Sequence, residues 1–241
     1  MPNWTSNYLT ISGTPDKVIA FLNKGLRNTE HGEVHSADKI PTIPENTLSL
    51  RSWLPMPETF HKYDTTNTHA ADLIVGEYAY IVNENGVNEK VLVTQEIKDA
   101  YTNAEREQLQ TYGVIGWYDY NLKTLGCKWD CFIESIINAF TDENGDLVIS
   151  FWIETPWTGC FDWTEAMAKE NPDLLFDHKF CNEGGDGVGC YRVKYDNGGV
   201  VVEDDYNECP DGREADPVLK EIFDLDDYYA SMDEEQEAEA E

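Results

Sequence analysis

The sequence predicts an α+β protein with a mostly antiparallel sheet, and three observations carry that prediction. An alternating segment near the N-terminus runs straight into a capped helical pattern. Two pairs of strand-like segments flank Asn-Gly dipeptides, the strongest short-range hairpin signal, at Asn85-Gly86 and Asn144-Gly145. Further on, a second helical pattern leads into three more strand-like segments separated by glycine-rich turns.

Each element has a local reason. Tyr8-Leu9-Thr10-Ile11-Ser12 alternates and stops at Gly13, as a half-buried strand does. Thr14 is then a candidate N-cap with Pro15 at the first helical position and Asp16 in the first turn. Val18, Ile19, Leu22 and Leu26 follow on one face. Residues 28–70 change texture: Pro41, Pro44, Pro55 and Pro57 deny long regular elements. Trp53 to Glu58 forms the one apolar knot there. Glu77–Val82 and Val87–Thr94 read as a hairpin. Thr102 and Glu105 have the spacing of a capping box, opening a short helix that Gly113 can end.

The stretch from Gly116 through Asp130 reads differently. Aromatics, Asp and Gly are weak helix formers, so the expectation is a shaped loop entering a strand. Trp117 and Trp129 are expected in the core, with Asp119, Asn121 and Asp130 bonding backbone groups. Phe132–Ala139 and Leu147–Glu154 are the second hairpin. Asp162 with Glu165 is another capping-box pattern, for an amphipathic helix ending before Pro172. Leu174–Phe180, Tyr191–Tyr195 and Val200–Glu203 complete the strands. The glycines at 184, 185 and 187 join two strands and lack the Lys-Ser/Thr of a phosphate-binding loop, so they read as a turn. Pro217–Leu225 can form a short helix with Val218, Leu219, Ile222 and Phe223 as its apolar side. Beyond Tyr229 the acidic run has nothing to bury and is expected to be disordered.

The charge balance is the outstanding bulk property: 47 acidic against 17 basic residues give −30 over 241 residues. Seventeen of the acids and two of the bases fall in residues 203–241. That sign disfavours direct attraction to nucleic acid or to an anionic membrane and favours basic partners. The first residues carry neither a basic nor an apolar signal region, and no window approaches the ~20 apolar residues of a membrane span. The expectation is a cytoplasmic protein whose six cysteines are reduced. No metal or cofactor is expected. His31 and His35 lie outside any convincing helix, and Cys127 and Cys131 on an extended strand would be ~13 Å apart, with Cys181 and Cys190 too irregularly spaced to complete a zinc set.

A family resemblance adds to this reading. Asn3-Trp4 with Asn7, Leu9-x-Ile11-x-Gly13 and Leu54-Pro55-Met56-Pro57-Glu58 appear in order, followed by Trp117-Tyr118-Asp119-Tyr120-Asn121 and Gly126-x-Lys128-Trp129-Asp130. With Thr155-Pro156-Trp157 and Pro172-x-Leu174-x-Phe176, they resemble the landmarks of a phage- and plasmid-borne family of largely unknown function that carries a ferredoxin-like domain. The sequence departs from that pattern at Tyr120, where Trp is usual, at Leu125, where an aromatic is usual, and at Cys127, where Thr is usual. The resemblance implies a ferredoxin-like βαββαβ core over residues 1–202. Insertions are expected at about 28–70 and 77–94, with an acidic extension over 203–241. It also implies a mobile-element source, where small acidic proteins act against host machinery.

Two functional expectations follow. In the first, the protein is a non-enzymatic, cytoplasmic inhibitor of the anti-CRISPR or anti-restriction type. It binds a basic host nuclease or restriction complex as a nucleic-acid mimic through Glu203, Asp204, Asp205, Asp224, Asp226 and Asp227. In the second, Trp117, Asp119, Asn121, Lys128 and Asp130 converge on a small ligand or an enzymatic site.

Overall fold

The computed structural model describes residues 3–27, 29, 33–36, 40, 47–82 and 87–240. In chain order the elements are β1 (Trp4–Gly13), α1 (Pro15–Leu26), α2 (Leu50–Trp53), α3 (Glu58–Lys62), β2 (Tyr78–Val82), β3 (Asn88–Leu92), α4 (Gln95–Tyr112) and α5 (Gly116–Leu125). They continue with β4 (Ile133–Thr141), β5 (Leu147–Pro156), α6 (Phe161–Glu170), β6 (Leu175–Asn182), β7 (Val188–Tyr195), β8 (Val201–Cys209), α7 (Pro217–Ile222) and α8 (Leu225–Ala240). The fold is α+β and the chain divides into two compact units, Met1–Trp53 with Leu125–Glu241, and Leu54–Thr124.

The first unit is built on a six-stranded sheet of order β4-β5-β1-β6-β7-β8, in which every neighbouring pair is antiparallel. The series β1, α1, β4, β5, α6, β6 is a β–α–β–β–α–β order with β1 between β5 and β6. Alternation along β1 sends Thr5, Asn7, Leu9 and Ile11 to a covered face and Ser6, Tyr8, Thr10 and Ser12 to the other. α1 covers the first face with Val18, Phe21, Leu22 and Leu26. Trp53 stacks on Phe21 at 5.1 Å and meets Trp163 of α6 edge-on at 5.8 Å. Each indole also discharges its donor, Trp53 Nε1 to the Phe21 carbonyl and Trp163 Nε1 to the Leu50 carbonyl. The buried rings therefore leave no unpaired N–H. The opposite face is capped at one end among the described residues. There Ala215, Leu219, Leu225 and Tyr229, from α7, α8 and the turn before them, pack on Cys181, Val188 and Cys209.

The second unit has two small cores. Ala70, Leu73, Val93 and Tyr101 pack under the β2–β3 hairpin with Ala79 and Ile81. Phe60, Tyr112 and Tyr120 form an aromatic trio, with Phe60 stacked on Tyr120 at 4.4 Å. The buried Gln108 joins its parts: Oε1 accepts from Thr65 Oγ1 and Gly116 N, and Nε2 donates to the Thr59 carbonyl.

The structure corrects several expectations, among them the Asp162 cap of α6, since that helix starts at Phe161 after Cys160. Gly116–Leu125 is a helix, not a loop entering a strand. Its first N–H groups are satisfied by distant side chains, Gly116 N by Gln108 Oε1 and Tyr118 N by Thr66 Oγ1, so tertiary capping outweighs poor intrinsic propensity. Trp117 is only half-buried and Trp129 is exposed; Tyr120, Leu125 and Cys127 take the core positions. α4 starts well before Thr102, with Thr94 as its cap accepting from Ile97 N. Thr102 lies inside the helix and returns its hydroxyl to the Lys98 carbonyl, while Glu105 accepts from Ala70 N. Gly113 does close that helix, at φ 75°. Finally, the acidic end is not structureless: α8 spans Leu225–Ala240, anchored by Leu225 and Tyr229. The Asn85-Gly86 turn, His31, Pro41 and Pro44 lie outside the described residues.

Candidate functional site

β8 is an edge strand, and its acids divide between two faces because side chains alternate along a strand. Glu203 and Asp205 lie on the partly open face, in register with Lys194 and Arg192. Arg192 bridges Glu203 at 3.3 Å and Asp177 at 3.1 Å. Burial pushes the Asp177 carboxyl up, but the hydrogen bonds and charges of Lys179 and Arg192 outweigh it and hold the group below the usual carboxylate range. Asp204 faces the other way, on the side of Tyr206, whose ring packs with Phe161, Phe180 and Tyr191. The sequence triplet is thus two patches rather than one.

Asp224 sits at the break between α7 and α8 with φ 49°, a conformation that Asp tolerates better than most residues. Asp226 and Asp227 open α8. Asp226 and Asp233 are seven residues apart, as are Asp227 and Glu234, so each pair nearly eclipses along the helix. Among the described residues two bases reach this stripe: Arg213 forks onto both Asp233 oxygens at 2.9 and 3.1 Å and lies 4.4 Å from the Tyr229 ring centroid. Lys220 reaches Asp226 at 3.4 Å.

The five residues of the expected ligand site fall in different units. Trp117, Asp119 and Asn121 belong to the second: Trp117 Nε1 donates to Asp64 at 3.1 Å, Asp119 is exposed and Asn121 is buried. Lys128 and Asp130 belong to the first. Asp130 is committed to structure, accepting from Ser49 Oγ at 2.7 Å and Arg51 N at 3.0 Å and so fixing the start of α2. Burial raises its pKa, opposed by those two bonds.

Lys128 belongs to a cluster that local sequence patterns do not show. Its ammonium lies 4.8 Å from the Trp129 ring and 4.9 Å from Trp157, and Trp129 also meets Trp4 at 6.4 Å. All three tryptophans are exposed, by 41% for Trp4, 37% for Trp129 and 49% for Trp157. Trp157 has φ 68°, a strained setting that costs about 1–3 kcal/mol, and its N–H donates to the Asn3 carbonyl. Trp4, Lys128, Trp129 and Trp157 each stand in one of the sequence landmarks, but their convergence depends on the pairing of Trp4 with Pro156, which requires knowing that β1 pairs with β5.

Titratable groups inside the covered face are structural. Asn7 Nδ2 donates to the Thr5 and Ile153 carbonyls and to Thr155 Oγ1. Its Oδ1 lies 2.8 Å from His178 Nε2, and His178 Nδ1 lies 3.0 Å from Thr164 Oγ1. An acceptor on one side sets the His178 tautomer with the proton on Nε2. Burial pushes this imidazole down to about 3, so it is neutral. Residues 127–131 bend rather than extend, which corrects the expected separation of their thiols. Cys127 and Cys131 Sγ donate to the same Trp129 carbonyl at 3.3 and 3.4 Å. The Cys131 hydrogen bond and burial raise Cys127, and burial raises Cys160 to about 12, so these are unreactive thiols. Among the described residues no three His, Cys, Asp or Glu side chains are grouped to hold a metal, and no helix is long and apolar enough to cross a membrane.

No protein-family model matches the chain, and no curated protein matches it. Among solved structures it is similar to the crystal structure of protein api92 from Yersinia pseudotuberculosis, at 10% identity over 86% of this chain and 98% of that one, with a TM-score of 0.35. A likeness of that size carries no argument about fold or function.

Proposed function

We propose that the protein is an acidic inhibitor that occupies the nucleic-acid groove of a basic host defence complex, with α8 standing in for a phosphate backbone. The observation that carries this reading is the helical state of the acidic end. Seven acidic residues lie within the 16 of α8, which contains no base. At ~1.5 Å rise per residue the helix is ~24 Å long, so its acids, in two groups at 226–227 and 233–239, average one per ~3.4 Å, the charge spacing of one strand of B-DNA. The exposed acids of β8 add to the same sign of field.

The ferredoxin-like character implied by the sequence landmarks is part of the proposal. It is supported by the β–α–β–β–α–β order and the central position of β1, and it fits a mobile-element protein acting in the host cytosol.

The test uses purified defence nucleases and restriction complexes, with the protein and duplex DNA competing for them. DNA is expected to displace the protein, and binding to weaken steeply with salt. The triple substitution Asp226→Asn, Asp227→Asn, Glu234→Gln is expected to lower affinity at least about tenfold, because long-range complementarity is lost. Binding that ignores both DNA and the triple substitution sinks the mimicry reading.

A further inference from the structure

Where α7 and α8 cross the otherwise open sheet face they leave a groove of about 360 Å³. Ser6, Trp152 and Cys181 of the sheet line it, with Phe223, Tyr228 and Trp4. Trp152 and Phe223 are in tilted contact, their centroids 5.7 Å apart at 54°, and Trp4 is fixed by its own N–H, which donates to Glu183 Oε2 at 2.8 Å. The groove's two charged lining residues, Glu183 and Asp224, are acidic, and among the described residues no lysine or arginine lines it. A volume near the small end of ligand sites suits one side chain rather than a cofactor.

We infer that this groove is a receptor for an arginine side chain of the basic partner, with the guanidinium between the aromatic rings and the Asp224 carboxylate. The inference rests on the proposed acidic-inhibitor reading and supplies the chemistry it lacks, since a stripe of charge attracts any cation whereas this groove selects one. Guanidinium is planar, weakly hydrated and stacks on aromatic faces, and ammonium does none of these as well. Four rings beside carboxylates, in a chain of net charge −30, complement that group and repel phosphate-bearing or carboxylate ligands.

A glycine beside the groove serves the same geometry. Gly185, at φ 71°, lies against the Tyr229 hydroxyl, which donates to the Gly185 carbonyl at 3.2 Å. The 183–187 turn thereby holds α8 against the sheet and sets the groove's width.

Acetyl-arginine amide provides the test, titrated into the full chain while the indole N–H signals of Trp4 and Trp152 are followed by NMR. Saturable shifts of those two signals are expected, with a Kd on the order of millimolar, the ~4 kcal/mol scale of a single small contact set. Asp224→Asn keeps the left-handed backbone, which Asn adopts readily, and is expected to weaken binding about tenfold, as loss of a charge-assisted partner does. Trp4→Ala, at an exposed ring, is expected to weaken it as well, and Asp204→Asn on β8 to leave it unchanged. Equal binding of the neutral isostere acetyl-citrulline amide overturns the inference, as does wild-type affinity in Asp224→Asn. The Asp226, Asp227 and Glu234 triple variant separates the two readings. If it binds acetyl-arginine amide normally and keeps the defence complex, the helix reading fails and the groove stands. If it loses the complex while wild-type protein gives no indole shifts, the groove fails alone.

Discussion

Both faces of the six-stranded sheet carry polar side chains and treat them in opposite ways. On the covered face, Asn7, His178, Thr155 and Thr164 are sealed beneath α1, α2 and α6 and satisfy one another. On the other face, Thr10, Asp177, Lys179 and Arg192 form a row of pairs that water can reach. A buried polar group without its partner costs much more than a made pair gains. The first set therefore defines the fold, and the second is at liberty to meet a partner. His178 illustrates the distinction: by residue type it suits catalysis, but its complete burial and two fixed neighbours make it part of the frame.

Asn7 offers the hardest test of that contrast. Asn7→Ala leaves His178 Nε2 without its partner in a dry site and removes the donor to Thr155 Oγ1, which keeps the Thr158 carbonyl, and is expected to lower unfolding free energy by about 3 kcal/mol. Thr10→Ala removes a single shared hydroxyl bond to Ser150 on the open face and should cost about 1 kcal/mol. Urea unfolding measures both, and equal losses would break the comparison.

Acid separates the faces next. His178 lies far below its ordinary 6.5, at about 3, so the unfolded chain takes up its proton first. Its contribution is complete above pH 6.5 and is lost progressively as pH falls towards 3, at up to ~1.4 kcal/mol per pH unit. Asp177 is also depressed, from 3.8, but its contribution is complete above that value and is lost only in stronger acid. Stability should therefore already decline between pH 6 and 5, and His178→Gln should flatten that decline even though it lowers stability overall. An unchanged slope in the variant would remove His178 as the cause.

A smaller effect is expected where the open face is capped. Gly185→Ala adds a methyl group against the Tyr229 hydroxyl at a left-handed position and should cost about 1–2 kcal/mol. Because only the α8 anchor is strained, amide exchange should accelerate in α8 and leave β1 and β5 unaffected. Uniform acceleration throughout the sheet would mean that the cap and the sheet unfold as one.

Much of this arrangement is legible in the chain. The alternation of Tyr8 to Ser12, the Pro15 start of α1, the Asn144-Gly145 hairpin and the Gly113 stop are local preferences that the fold does not oppose. The candidate surface is legible only as a charge count. Sequence clusters Glu203, Asp204 and Asp205, whereas the strand's pleat sends the middle one to the opposite face. Composition leaves residues beyond Tyr229 unstructured, yet Tyr229 has a seat on Gly185 and Arg213 a partner in Asp233.

By itself, the sequence determined the secondary elements whose caps and periodicity lie within a few residues of one another, the α+β class, and the excess of acid at the C-terminal end. Tertiary structure decided the rest. It made α5 a helix through Gln108 and Thr66, brought Trp4, Trp129 and Trp157 together through β1–β5 pairing, and converged Cys127 and Cys131 on one carbonyl. The physical reason is common to all three. Each feature depends on a donor, acceptor or ring supplied from a distant part of the chain or brought round by a bend, and such contacts form only once burial has already fixed the surrounding backbone.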